Sequence, residues 1–320
     1  MATSSRPPLH LRVSLTERCQ LRCLYCMPAE GVALRPHAEI LRFEEITAFV
    51  RLLQQSFDVQ KVRLTGGDPL VRPDLPKLVR MLADLQIPDL ALTTNGQQLV
   101  GAAAALQAAG LQRVNISLDS LHPDTFGRIT RGGVVQRTID GIDAALQANL
   151  RPVKLNMVVM RGINDSEVEE ILAFGGARGC EVRFLELMPI GCGVALFDQS
   201  FVSTVTVRDR LAARFQLVPL PVADGSSARR FRVEDQGATR GIAGFISPCS
   251  DPFCRGCIRL RLTADGRIIG CLARKHGLDI RPFLRQEDPA GLADQVRQAL
   301  QGKRSDRDFA QPAVMATIGG

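Results

Sequence analysis

The sequence predicts an α/β protein: an incomplete (βα)6 TIM-like barrel followed by a C-terminal α+β extension that covers the barrel opening. Strand-like and helix-like stretches alternate through the first two-thirds of the chain. Four of the strand-like stretches carry polar side chains at every second position. After about residue 217 the alternation gives way to short segments and one terminal helix. The expected division is 1–216 for the barrel and 217–320 for the extension.

The elements follow in order. LHLRVSL (9–15) is a strand, and FEEITAFVRLLQQSF (43–57) has helical spacing at Ile46, Phe49, Val50 and Leu53. KVRLT (61–65) precedes a helix over 74–85, and LALTT (90–94) an alanine-rich helix near 98–109. RVNISL (113–118) precedes a helix near 136–148. PVKLNMVVM (152–160) leads into EVEEILAFGGARG, a helical pattern that ends in glycine, and VRFLEL (182–187) closes the series. About six βα units imply a parallel sheet.

The polar sets are His10/Arg12/Ser14, Lys61/Arg63/Thr65, Arg113/Asn115/Ser117 and Lys154/Asn156, with apolar residues between them. A parallel sheet covered by helices normally has two apolar faces. A repeated polar face implies a lumen that holds a polar ligand, with Arg12, Lys61, Arg63 and Lys154 on it. An edge strand with one wet face would explain one such strand but is a weaker account of four. Beyond 217, RRFRVED and GIAGFIS are short segments. RLRLTADGRIIGC reads as a hairpin turning at Ala264-Asp265-Gly266, and 288–300 is helical.

Composition narrows the class. Hydrophobic residues make up 45% of 320, enough for a full core. Apolar runs are too short to span a bilayer, and MATSSRPPLHLRVSL has no apolar signal region, so a cytoplasmic protein is expected. The net charge of +7 suits a phosphorylated ligand. With no Trp and one Tyr, a stacking platform for single-stranded nucleic acid is poorly supplied.

Nine cysteines is an odd number, and clustered thiols in a reducing compartment serve metals or redox chemistry. Cys19-x3-Cys23-x2-Cys26 follows the first strand, at the end where βα barrels build active sites. Three thiolates can hold three corners of a 4Fe–4S cube and leave one iron open. Cys254-x2-Cys257-x13-Cys271 is again a group of three. A zinc site is the plainer alternative for either, with Cys249 or His276 as a distant fourth ligand of the second. His10, His37 and His122 complete no zinc motif. Arg259 and Arg261 form an R-x-R pair suited to an anionic or purine-bearing ligand.

Tyr25 before the third cysteine, Met27-Pro28 after it and the Gly66-Gly67-Asp68-Pro69 turn together resemble the radical S-adenosylmethionine superfamily. There the open iron takes the amino and carboxylate groups of S-adenosylmethionine, and an electron cleaves the sulfonium to give a 5′-deoxyadenosyl radical. The segments LRVSLTERCQLRCLYCMP, VRLTGGDPLVRPDL, VKLNMVVMRGIND, GFISPCSDPFCRGC and RLRLTADGRIIGCL, with the final IGG, span nearly the whole chain in order. They are similar to the GTP 3′,8-cyclase family, lyases of molybdenum cofactor biosynthesis.

That resemblance implies two [4Fe–4S] clusters, one on Cys19, Cys23 and Cys26 and one on Cys254, Cys257 and Cys271. It implies S-adenosylmethionine beside Tyr25, Gly67, Ser117 and Met188. GTP would meet Arg12, Arg63, Thr93, Lys154, Arg259 and Arg261. Arg259, Arg261 and the Gly319-Gly320 tail would act at the reacting centre. Implied partners are a flavodoxin- or ferredoxin-like electron donor and the cyclic pyranopterin monophosphate synthase that takes the product. A homodimer is allowed, and no nucleic acid or membrane is involved.

The chain departs from the family at Asp68, where Glu is usual, and at Ile258, where a polar residue is common. Cys180 and Cys192 have no place in the pattern. Rival readings are another auxiliary-cluster radical enzyme, such as a peptide or sulfatase maturase, and a zinc or nucleic-acid-binding protein.

Overall fold

Strands and helices alternate from Pro8 to Glu186: β1 (Pro8–Ser14), α1 (Phe43–Ser56), β2 (Asp58–Thr65), α2 (Leu75–Ala83), β3 (Asp89–Thr94), α3 (Ala103–Ala108), β4 (Arg113–Ser117), α4 (Pro123–Thr130), α5 (Val135–Gln147), β5 (Lys154–Val159), α6 (Val168–Ala177) and β6 (Glu181–Glu186). Then come α7 (Gly193–Ser200), α8 (Thr204–Ala212), β7 (Gln216–Pro219), β8 (Arg229–Asp235), β9 (Ala238–Ile246), β10 (Arg259–Leu262), β11 (Arg267–Ile269), β12 (Leu278–Asp279), α9 (Arg281–Gln286) and α10 (Pro289–Gln301). This computed structural model describes residues 6–222, 225–254, 256–272, 277–301, 303 and 313–318. Among them, no helix is long and apolar enough to cross a membrane.

Local chemistry explains the elements. In α1, Ile46, Phe49, Val50 and Leu53 are all buried, and Glu45 caps the first turn by accepting from the Arg42 N–H at 2.7 Å. The helix expected near 98–109 is shorter because 98–102 form turns, with the Leu99 N–H bonded to the Gly96 carbonyl. The unassigned helices α4, α7, α8 and α9 run 6 to 9 residues, too few for a clear period.

Among the described residues, twelve strands form one sheet in the order β12-β11-β10-β1-β2-β3-β4-β5-β6-β9-β8-β7. Strands β1 to β6 are parallel and in sequence order. Apolar alternates such as Leu11, Val13, Val62, Leu64, Val114, Ile116 and Leu155 are buried in the main hydrophobic core. Their polar neighbours therefore share the opposite face.

The C-terminal strands do not form a sheet of their own. β9 pairs in parallel with β6, while β10 pairs in parallel with β1. Residues 247–258 link the two. The expected hairpin is present, with β10 antiparallel to β11. Phe184 on β6 lies 5.9 Å, centroid to centroid, from Phe245 on β9, which meets Phe231 on β8 edge-on at 5.7 Å.

This aromatic row joins the early strands to the late ones. Phe184→Ala is expected to cost about 3–5 kcal/mol in denaturant unfolding. A loss under about 1 kcal/mol would show that the row contributes little to the join.

Candidate active site

The first thiol group lies in the loop that leaves β1. Backbone bonds lay this loop on the turn after β2: the Gly67 N–H donates to the Thr16 carbonyl at 2.7 Å and the Asp68 N–H to the Arg18 carbonyl at 2.8 Å. A Cβ on Gly67 would fall 2.4 Å from the Arg18 carbonyl oxygen. Glycine is needed there to admit the thiol loop itself, rather than only a small ligand.

Asp68 is buried, and its carboxylate is taken up by the Leu70 N–H, the Asn95 N–H and the Thr94 hydroxyl at 2.7–2.9 Å. It thus ties the β2 turn to the end of β3. Tyr25 donates to Asp119 at 2.7 Å, and the other Asp119 oxygen accepts from the Val158 N–H. Asp119, which sequence reasoning missed, links the thiol loop to the ends of β4 and β5.

The second thiol group flanks β10. Pairing sets Arg261 opposite Arg12, and Arg12 opposite Arg63. Glu186, at the end of β6, accepts from the Thr204, Cys249 and Ser250 N–H groups at 2.9–3.0 Å. It holds the start of the 247–258 segment against the sheet.

One cavity of about 350 Å³ is lined by all six of these cysteines, by Tyr25, Gly67, Ser117 and Met188, and by Arg12, Arg63, Thr93, Arg259 and Arg261. Lys154 lies instead in an adjoining pocket of about 140 Å³ with His10, Lys61, Arg113 and Arg183; Arg12, Arg63 and Arg259 line both. The cause is register: Lys154 opens β5, and Asn156, two residues on, reaches the larger cavity. Gly319, Gly320 and His276 lie outside the described residues. Of the remaining thiols, Cys180 is buried in the core, and burial pushes it up to about 11.

The smaller pocket is strongly cationic. Asp89 takes a bidentate pair from Arg113 at 2.7 Å and Lys61 at 3.1 Å. Glu181 takes Arg183 at 2.6 Å and Lys154 at 3.7 Å. Burial first, then Lys61 and Arg259, lower His10 to about 4, so it adds no charge near neutrality. Burial, reinforced by Arg12 and Arg113, pulls the Arg63 guanidinium well below its usual value. Burial and Arg259 lower Arg261 to about 9. Among the described residues, the buried Arg63 Nε and the Asn115 and Asn156 side-chain oxygens have no hydrogen-bond partner. Cations crowded this way favour an anionic ligand that accepts from them.

The thiol groups fit iron–sulfur clusters. Burial, Asp119 and the other two thiols push Cys23 well above its ordinary value, and burial and Cys19 push Cys26 up to about 12. Three thiolates in such a place need a compensating cationic centre, which a cluster provides. Among the described residues, no three His, Cys, Asp or Glu side chains gather tightly enough to share one metal ion.

Lys154 supplies a pH signature. Burial, then Arg183, lower its ammonium to about 7 despite Glu181. An anion bound beside it favours the protonated form, so binding is linked to proton uptake. Sulfate affinity is expected to weaken as pH rises above about 7, by up to roughly tenfold per unit. Calorimetric titration of sulfate from slightly acid to slightly alkaline pH checks this, and Lys154→Met should flatten the profile.

Known proteins match the chain in sequence and in fold. A family model described as Radical SAM superfamily matches residues 13–175, and one described as Molybdenum Cofactor Synthesis C matches 180–309. A GTP 3′,8-cyclase of Listeria monocytogenes is 41% identical over 304 residues, covering 94% of this chain and 90% of that protein. One from Moorella thermoacetica is 42% identical and covers 99% of each. The crystal structure of Streptococcus suis SuiB bound to S-adenosylmethionine superposes with a TM-score of 0.64 at 13% identity, over 97% of this chain and 72% of that one, and so shares its fold. The chain belongs to the radical S-adenosylmethionine superfamily and, within it, to the GTP 3′,8-cyclase family.

Proposed function

We propose that this chain converts GTP to 3′,8-cyclo-7,8-dihydro-GTP, the first step of molybdenum cofactor biosynthesis. The observation that carries this reading is a single cavity lined by two thiol triads and by the guanidiniums of Arg12, Arg63, Arg259 and Arg261, with a cationic pocket adjoining. Cys19, Cys23 and Cys26 would hold one [4Fe–4S] cluster, and Cys254, Cys257 and Cys271 the other. When bound, the first cluster with S-adenosylmethionine supplies hydrogen-atom abstraction from an unactivated C–H bond, and the second anchors the guanine ring.

The chain's own residues do the rest. Tyr25, Gly67, Ser117 and Met188 border S-adenosylmethionine. Arg63 and Lys154, joined by Lys61, Arg113 and Arg183, take the triphosphate through charge-assisted bonds. Arg12, Thr93, Arg259 and Arg261 orient the nucleoside so that its 3′ carbon faces the radical source. Holding the reactants in line supplies most of the selectivity, because an alkyl radical attacks any nearby C–H.

We infer further that 1–216 curls into an incomplete (βα)6 barrel whose opening is covered by 217–320. The Gly319-Gly320 tail would reach the reacting centre. A flavodoxin- or ferredoxin-like donor supplies electrons, the enzyme works in the cytoplasm, alone or as a homodimer, and the product passes to cyclic pyranopterin monophosphate synthase.

Anaerobic incubation with GTP, S-adenosylmethionine and a reductant, followed by identification of the nucleotide product, tests the activity. Arg261→Ala is expected to lower cyclisation by about 100-fold or more while 5′-deoxyadenosine still forms. Equal loss of both products would count against a role in orienting GTP. Cys271→Ser should halve iron and labile sulfide per chain, and unchanged iron would rule out the second cluster's assignment.

A further inference from the structure

The C-terminal end of α10 is driven into the second thiol group. A Cβ on Gly270 would fall 1.8 Å from the Ala299 carbonyl oxygen, so the helix end can lie there only because residue 270 has no side chain. Gly270 directly precedes Cys271. Just beyond the helix, the Lys303 N–H bonds the Leu300 carbonyl, which turns the side chain inward. Its ammonium donates to the Cys257 carbonyl and lies 3.5 Å from the Cys257 sulfur. Lys303 also lines the central cavity. At the first triad, among the described residues, the Cys19 sulfur accepts from neutral donors, the Leu21 N–H at 3.4 Å and the Asn95 amide at 3.6 Å, while the Arg22 guanidinium bonds the Cys19 carbonyl rather than a sulfur.

We propose that Lys303 is a positioning residue that acts through the Cys257 sulfur and raises the reduction potential of the second cluster. This rests on the reading that Cys254, Cys257 and Cys271 hold an iron–sulfur cluster. Reduction adds one electron from an external reductant and so one negative charge. No bond forms or breaks, and the couple is written with the Lys303 ammonium on both sides, so that no proton is transferred. An ammonium hydrogen-bonded to a ligating sulfur stabilises the more negative state, and hydrogen bonds to sulfur and net charge are the levers that set such potentials. The neutral donors to the Cys19 sulfur exert less of this effect than an ammonium bonded directly to a ligating sulfur.

The test uses the full-length chain, reconstituted anaerobically, with the first triad changed to serine so that one cluster remains. Potentiometric titration followed by electron paramagnetic resonance compares Lys303 with Lys303→Met, Lys303→Gln and Lys303→Arg. The Met and Gln variants should keep their iron and sulfide but be about tenfold harder to reduce, a fall of about 59 mV for one electron. Lys303→Arg, which keeps the charge and a donor, should recover most of the shift. An unchanged potential in a Met or Gln variant that retains its cluster overturns the proposal. Loss of the cluster from both also overturns it, since Lys303 would then serve assembly rather than potential. If the Lys303 form itself takes up no iron, it is the underlying reading of the second triad that fails.

Discussion

The parallel pairing of β10 with β1 is the contact on which the rest of the site depends. It joins residues 10–13 to residues 259–262, more than three-quarters of the chain apart. It sets Arg261 beside Arg12 and brings the second thiol group to the cavity that the first already lines. Strand pairing has a period of two, so a slip of one residue would turn Arg259 and Arg261 away from the cavity and Leu260 and Leu262 into it. Leu260 and Leu262 are buried in the helix-covered core, which locks the register by the ordinary preference of apolar side chains for the interior.

Stability and function pull in opposite directions at the centre of the sheet. Arg12, Arg63 and Arg261 are held where burial and one another's charge disfavour the ionised form. Asp89 and Glu181 offset part of this through close ion pairs. An anion bound there would meet this crowded positive charge, so part of the cost of assembling the cage would return as affinity. Buried carboxylates elsewhere have a different task. Asp68, Asp119 and Glu186 each accept from two or more donors on separate segments and stitch together the loops that carry the thiols.

How much of this was legible in the sequence depended on the range of the interactions. The six parallel strands were readable because alternation is local, and most residues of the polar face read on four of them line the two pockets. The thiol groups were readable because their spacing is short. Arg183 was obscured within VRFLEL, where its apolar neighbours dominate, and only pairing with β5 reveals it opposite Asn156. Asp119 and Glu186 look like ordinary strand-end acids until their distant donors are seen. The splitting of the last strands between both edges of the sheet had no local signal, since edge choice is settled by tertiary packing. Lys303 sits in a polar stretch after a surface-facing helix, and nothing in its surroundings hints that it reaches a sulfur.

The route taken by residues 247–258 has a bearing on how the enzyme is made. That stretch leaves β9 beside β6 and must arrive at β10 beside β1, so its ends are fastened to opposite sides of the six-strand row. A ribosome delivers β1 long before it delivers β10, and until then one flank of β1 is bare. Only once the late strand docks do Cys254, Cys257 and Cys271 join the first three cysteines in lining one cavity.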